Sequence, residues 1–296
     1  MGKTSDIPAE AITFLKKMQR IEADDMLTYA KIGRHVKDQH NKAVILKLAK
    51  DEERHAHIWT RYTGSKPKAH MFTVYWNYFL SFILGFTFII KKMEKREDRT
   101  NLNYHTWEHV IPEARTIADD EEDHERQLLE MLDEERLRYL GSFVLGLSDA
   151  LVELSGTLAG LTLALTNTRL IALSGMITGI AATLSMAGSE YLSKKNEDSP
   201  DNALKSSLYT GAAYLVTVAL LILPYLLLPS HAWLTALIIM LATMLLIIIF
   251  FTYYVSVAKS LPFFKRFIQM AGISLSVAAI SFGIGFLVKG WLGVDI

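Results

Sequence analysis

The chain contains no cysteine. Disulfides, thiolate-bound zinc and cysteine-ligated iron are therefore excluded, while the compartment is left open. It carries no excess charge of either sign, since Lys+Arg 31 balance Asp+Glu 31. Without a global basic field, no nucleic-acid partner is expected. No cleavable leader is expected either, because Met1 to Arg20 is charged and amphipathic and has no apolar centre. Charge is also unevenly placed. Most of it precedes Gly141, and the remainder of the chain is strongly apolar. The 296 residues thus divide into two domains of different solvent preference.

The charged half repeats one chemical word. Glu52-Glu53-Arg54-His55 and Glu121-Glu122-Asp123-His124 each contain Glu-x-x-His. Residues i and i+3 share a helix face, so each copy presents a carboxylate and an imidazole to a common point. Each is preceded, about one helical hairpin earlier, by a further glutamate, Glu22 and Glu94. Two such motifs and two single glutamates make up the ligand set of a four-helix di-iron or di-manganese carboxylate site. Glu97, one turn after Glu94, offers an additional carboxylate. Glu53, His57, Glu122 and Glu125 are expected to face solvent or to back the ligands. A solvated helix face accounts for a single charged cluster of this kind, but not for two copies each matched with an upstream glutamate. Carboxylate oxygens with imidazole suit iron or manganese better than copper.

Helical spacing predicts four helices in this half: Pro8 to about Val36, Gln39 to Tyr62, Met71 to Arg99, and Thr106 towards Arg138, with Pro112 kinking or delaying the last. Gly64 and Pro67 stop the second. Met71 to Ile90 has no charged side chain and is about long enough to span a bilayer. A span there would put Glu94 across the membrane from Glu22 and Glu52. Asn77 and the dense aromatics Tyr75, Trp76, Tyr78 and Phe79 favour a buried or interfacial helix instead.

Five membrane spans are expected after Gly141: Leu140–Leu165, Leu170–Leu192, Leu208–Leu228, Ala232–Val257 and Phe267–Val288. Lys194, Lys195, Lys205, Lys259, Lys265 and Arg266 lie in the second and fourth connectors, against Arg169 alone in the first and third. The positive-inside rule then puts the N-terminal domain in the cytoplasm and the C-terminus outside. Asp149 and Glu153 are four residues apart in the first span, Asp149 about 14 Å along it at 1.5 Å per residue. Met186 and Glu190 repeat the spacing in the second span. Ionisable groups at such depth are costly and mark a polar pathway or a partner; a thioether beside carboxylates can bind a partly dehydrated transition metal. For Met186 alone, packing is the simpler role, and for Asp149, helix capping or a bond to Ser148 or Ser155. Glycines crowd the same helices, among them Gly141, Gly146, Gly156, Gly160, Gly175, Gly179 and Gly188, with Gly283 and Gly285 in the last span. They allow close helix approach in a tight bundle or a dimer.

On Gln19-Arg20-Ile21-Glu22, Asp51 to His55, Met93 to Glu97 and Asp120 to Glu125, residues 10–137 resemble the rubrerythrin-like branch of the ferritin-like superfamily. The resemblance implies that the matching glutamates and histidines bind Fe2+ in a di-iron centre, and that ferrous iron is oxidised by oxygen or peroxide. The cysteine-ligated iron domain of full rubrerythrins is lacking. On Leu145 to Glu153, Leu158 to Leu161 and Ser185 to Tyr191, residues 139–290 resemble the vacuolar iron transporter family. That likeness implies a five-span homodimer moving Fe2+, and often Mn2+, in exchange for protons, with Asp149 and Met186 matching the family's pore-lining residues. The family's glutamate-rich insertion after the second span is missing, since the connector is only Ser193 to Lys205.

Together these readings describe an all-α chain. A ferritin-like four-helix bundle over 1–138 precedes a five-span domain over 139–296, in the order of the prokaryotic membrane-bound ferritins. The expected function is proton-driven export of ferrous iron across the inner membrane. The alternative is a membrane-anchored ferroxidase or peroxide scavenger.

Overall fold

The computed structural model describes residues 7–107, 110–130, 139–196, 202–259 and 261–292, without the side chains of 97–107, 125, 128–130 and 292. Every regular element among the described residues is a helix, and the chain divides into two compact units, Met1–Glu134 and Glu135–Ile296.

In the first unit, α1 (Ala9–Gly33) begins after Pro8. Proline has no N–H to leave unpaired and its fixed φ suits a helix start. A sharper boundary opens α2 (Gln39–Thr63), where the Asp38 side chain accepts from the Asn41 amide at 2.8 Å. Gly64, in the left-handed conformation at φ 62°, ends it.

The expected single helix from Met71 to Arg99 is two helices, α3 (Met71–Leu84) and α4 (Phe86–Trp107). The break is Gly85 at φ 93°, a backbone region that side chains with a Cβ rarely adopt. Being 14 residues long, α3 measures about 21 Å and is too short to cross a bilayer. Thr106 belongs to the end of α4 and not to the start of the next helix, for α5 (Glu113–Glu130) starts just past Pro112. Proline disfavours the helical conformation of the residue before it, which accounts for the displaced start. The expected extension to Arg138 falls outside the described residues.

Helix α1 packs along α2, α4 against α5, and α5 also meets α2. Leu15, Met18, Trp59, Ile111, Ala114 and Ile117 form a buried apolar cluster among them.

The second unit contains α6 (Leu140–Leu165), α7 (Thr168–Lys195), α8 (Ala203–Leu227), α9 (Trp233–Ala258) and α10 (Phe263–Leu292), each long and apolar enough to cross a membrane. Helix α6 touches all four others and forms the centre. At one end, Tyr139 donates to Asn202 at 2.7 Å, joining the starts of α6 and α8. At the other end, the Thr168 amide donates to the Ser230 carbonyl at 3.1 Å, joining the first and third connectors. Alternating up and down spans require that pairing of ends.

Two close approaches fix α6. A Cβ on Gly146 would lie 2.2 Å from the Thr210 carbonyl oxygen of α8, and one on Gly285 of α10 would lie 2.4 Å from that of Gly160. Not every glycine acts in this way, since Gly141, Gly188 and Gly283 have nothing within 4 Å. Gly146→Ala is therefore expected to destabilise the membrane unit by about 1–3 kcal/mol, as overpacking does. Gly141→Ala should be near neutral. Unfolding midpoints in detergent compare the two.

Candidate metal centre

The ligand atoms of Glu22, Glu52, His55 and Glu121 lie within 4.8 Å of one another, and all four residues are buried. They come from α1, α2 and α5. Glu52 and His55 project together because they are one helical turn apart, as are Glu121 and His124. His55 Nδ1 is 3.1 Å from Glu121 Oε1 and 3.6 Å from Glu52 Oε2. His124 Nδ1 is 3.2 Å from Glu121 Oε2 and 3.5 Å from Glu52 Oε1. The two imidazoles stack with centroids 5.8 Å apart. Each Nδ1 thus faces the carboxylates, so the two Glu-x-x-His copies converge on one point.

The opposite ring nitrogens are held by aspartates that sequence reasoning missed. His55 Nε2 lies 3.2 Å from Asp120 Oδ2, and His124 Nε2 lies 3.4 Å from Asp51 Oδ2. The aspartate beside each glutamate therefore supports the histidine of the other motif. A proton fixed on Nε2 leaves the Nδ1 lone pair for a cation. The doubled Asp-Glu-x-x-His word was the available signal. Trp59 Nε1 donates to Glu22 at 3.3 Å, and Arg54 pairs with both Asp51 and Asp120.

Glu94 is buried, and Tyr29 donates to it at 3.0 Å. It stands outside the cluster of four. The side chain of Glu97 lies outside the described residues, as does that of Glu125. Glu53, His57 and Glu122 are exposed as expected.

The electrostatics suit a cation. Burial pushes the carboxyl of Glu52 well above the usual range, and the neighbouring charge of Glu121 adds to it. Burial likewise raises Glu22. For His55, burial disfavours the imidazolium, but hydrogen bonding and charge from Glu121 outweigh it and lift the group to about 9. Glu121 is drawn down to about 2, since bonds from His124 and His55 overcome its burial. Both carboxylate oxygens of Glu52 are buried without a well-formed hydrogen bond. Buried polar atoms are rarely left so. Hard oxygen donors with imidazole fit a divalent iron or manganese ion.

At pH 7 the metal-free cluster holds a proton on His55, and on Glu52 and Glu22 to an extent that grows as pH falls. Cation binding must displace these protons. Metal uptake is therefore expected to release protons and to tighten as pH rises towards about 9, where His55 deprotonates unaided. The stability that charged His55 lends the metal-free unit has the opposite trend. It is complete below the ordinary imidazole pKa and is lost as pH rises through about 9. Calorimetric titration in buffers of different ionisation enthalpy counts the protons.

In the membrane unit, Asp149 is half-buried and Glu153 exposed, one turn apart on α6. Tyr214, fully buried on α8, donates to Glu153 at 2.6 Å. Glu190 is buried and accepts from Ser142 at 2.6 Å, while Thr210 donates to the Ser142 carbonyl at 2.9 Å. These hydroxyl partners, too, were missed, because they come from helices distant in sequence. Met186 packs on the apolar cluster of the unit.

No curated protein matches the chain. Residues 140–200 match the VIT family, which covers α6, α7 and the positions of Asp149, Glu153, Met186 and Glu190. Five apolar helices of spanning length, together with this match, indicate a multi-pass membrane protein, similar over the matched residues to a family of membrane metal transporters.

Proposed function

We propose that the protein is a homodimeric exporter of Fe2+, also accepting Mn2+, that works by proton antiport across the inner membrane. The observation that carries this reading is the Asp149–Glu153 pair on a membrane helix inside the VIT-matched segment. An exposed Glu153 facing lipid would be costly, so a polar path or a second copy covers it. Protonation of a carboxylate competes with metal coordination, so the pair can exchange protons for cations. The Tyr214 hydroxyl holds one oxygen of Glu153 and leaves the other for that exchange. Basic residues in the second and fourth connectors favour a cytoplasmic N-terminus and an external C-terminus.

Residues 1–138 then form a ferritin-like di-iron domain that captures the metal. Glu22, Glu52, His55, Glu121 and His124 hold it, with Glu94 and Glu97 as further carboxylates. By the resemblance, a bound di-iron centre supplies oxidation of ferrous iron. The chain's own part is to keep Nδ1 of each histidine turned inward and to take up or give up the protons that binding displaces.

The full chain in proteoliposomes is expected to move Fe2+ against its gradient while protons run down theirs in the opposite direction, and to stop when a protonophore collapses the proton gradient. Iron-dependent oxygen consumption without metal flux would instead establish the membrane-anchored ferroxidase.

A further inference from the structure

The short helix α3 is the unexplained part of the first unit. It buries only Val74 and Asn77. Phe72, Tyr75, Trp76, Phe79, Phe82 and Ile83 are exposed, Phe72 by 71% and Phe79 by 53%. Their spacing puts them along one side of the helix. Phe72, Trp76 and Phe79 form a run of neighbouring rings, with centroids 6.2 and 6.0 Å apart. Such a contiguous apolar face on a charged unit marks a surface that meets something.

Its surroundings indicate what. Between Gly64 and Lys92 the chain has Lys66, Lys68, Lys91 and Lys92 and no acidic residue. Lys66 and Lys68 are exposed at the helix start, and Lys31 of α1 lies 4.4 Å over the Tyr75 ring. Tryptophan and tyrosine with lysines around an apolar ridge are the pattern of a helix lying in a membrane interface. At 14 residues α3 can lie there but cannot span. The five apolar helices of the same chain keep it at a bilayer, so even a weak surface affinity acts at high effective concentration. A symmetric contact between two copies of this face would bring the same lysines towards each other, which disfavours that occupant.

We infer that α3 is an interfacial helix, whose aromatic face inserts among the headgroups and upper acyl chains of an anionic bilayer while Lys66 and Lys68 meet lipid phosphates. The first unit is thus a peripheral membrane domain in its own right, anchored at a second point besides the spans.

The test uses the full chain in vesicles containing phosphatidylglycerol. Because the chain has no cysteine, Phe79→Cys and, separately, Phe72→Cys accept single nitroxide labels, with Lys17→Cys at an exposed position of α1 as the aqueous reference. Metal stoichiometry of each variant confirms that the first unit is folded. Collision with oxygen relative to a water-soluble nickel chelate is expected to be several-fold higher at Phe79 and Phe72 than at Lys17. Adding Lys66→Glu and Lys68→Glu should move both labels towards the aqueous value. Labels at Phe79 and Phe72 as open to the chelate as that at Lys17 would overturn the inference. So would labels shielded from both reagents and spin-coupled between copies, which would make the face a contact between two chains.

Discussion

Replacing Glu52 and Glu121 together by alanine is expected to abolish paired metal occupancy while leaving the first unit helical. Losing a group that merely orients a ligand costs about 10–100-fold in metal affinity, and both of these carboxylates point into the cluster itself. The fold should survive because two effects oppose. Truncating a buried side chain leaves a cavity, at a cost of about 2–5 kcal/mol for comparably sized apolar residues. Removing carboxylates that are buried also removes an unfavourable desolvation. Glu52→Gln, which keeps the volume, separates the two and should lose metal with less change in stability. Elemental analysis per chain and far-ultraviolet circular dichroism decide the matter. Full metal stoichiometry in the double variant would refute the ligand assignment.

Asp149→Asn should reduce metal flux in proteoliposomes to background and leave metal binding by the first unit unchanged. The substitution preserves size and removes the charge for which cation and proton compete. It is one turn from Glu153 and one turn from Gly146, so local packing should be little disturbed. Tyr214→Phe, which removes only the hydroxyl bonded to Glu153, is expected to impair flux less. Wild-type flux in Asp149→Asn would remove this residue from the path.

Much of this arrangement is dictated by spacing alone. The i, i+3 separation brings Glu52 beside His55 and Glu121 beside His124 whatever else the chain does. The spans were equally legible, because mean hydropathy over a bilayer's length is a local property. What escaped was long-range or backbone-specific. Asp120 supports His55 only because α2 and α5 pack face to face, and Tyr214 reaches Glu153 across 61 positions of sequence. Gly85 was read through, since a lone glycine inside an apolar run is tolerated in helices and its positive φ leaves no mark on hydropathy. Glu94 was expected among the ligands from its place ahead of Glu121. Its bond to Tyr29, two turns along α1 from Glu22, has no signature in spacing.

The backbone contact at Gly146 bears on how a transporter of this design would turn over. Helix α6 meets α8 there and α10 at Gly160, with no side chain between them to yield. The helix that carries Asp149 and Glu153 is in effect a fixed post. Alternating access then belongs to its neighbours or to a second copy, with the acids stationary and the walls moving past them. Helix α9, which has no glycine and presents an almost wholly apolar exterior, is free of such clamps. Turnover in this scheme is set by how fast the walls slide, so bilayer thickness and fluidity should alter its rate more than its affinity for the ion.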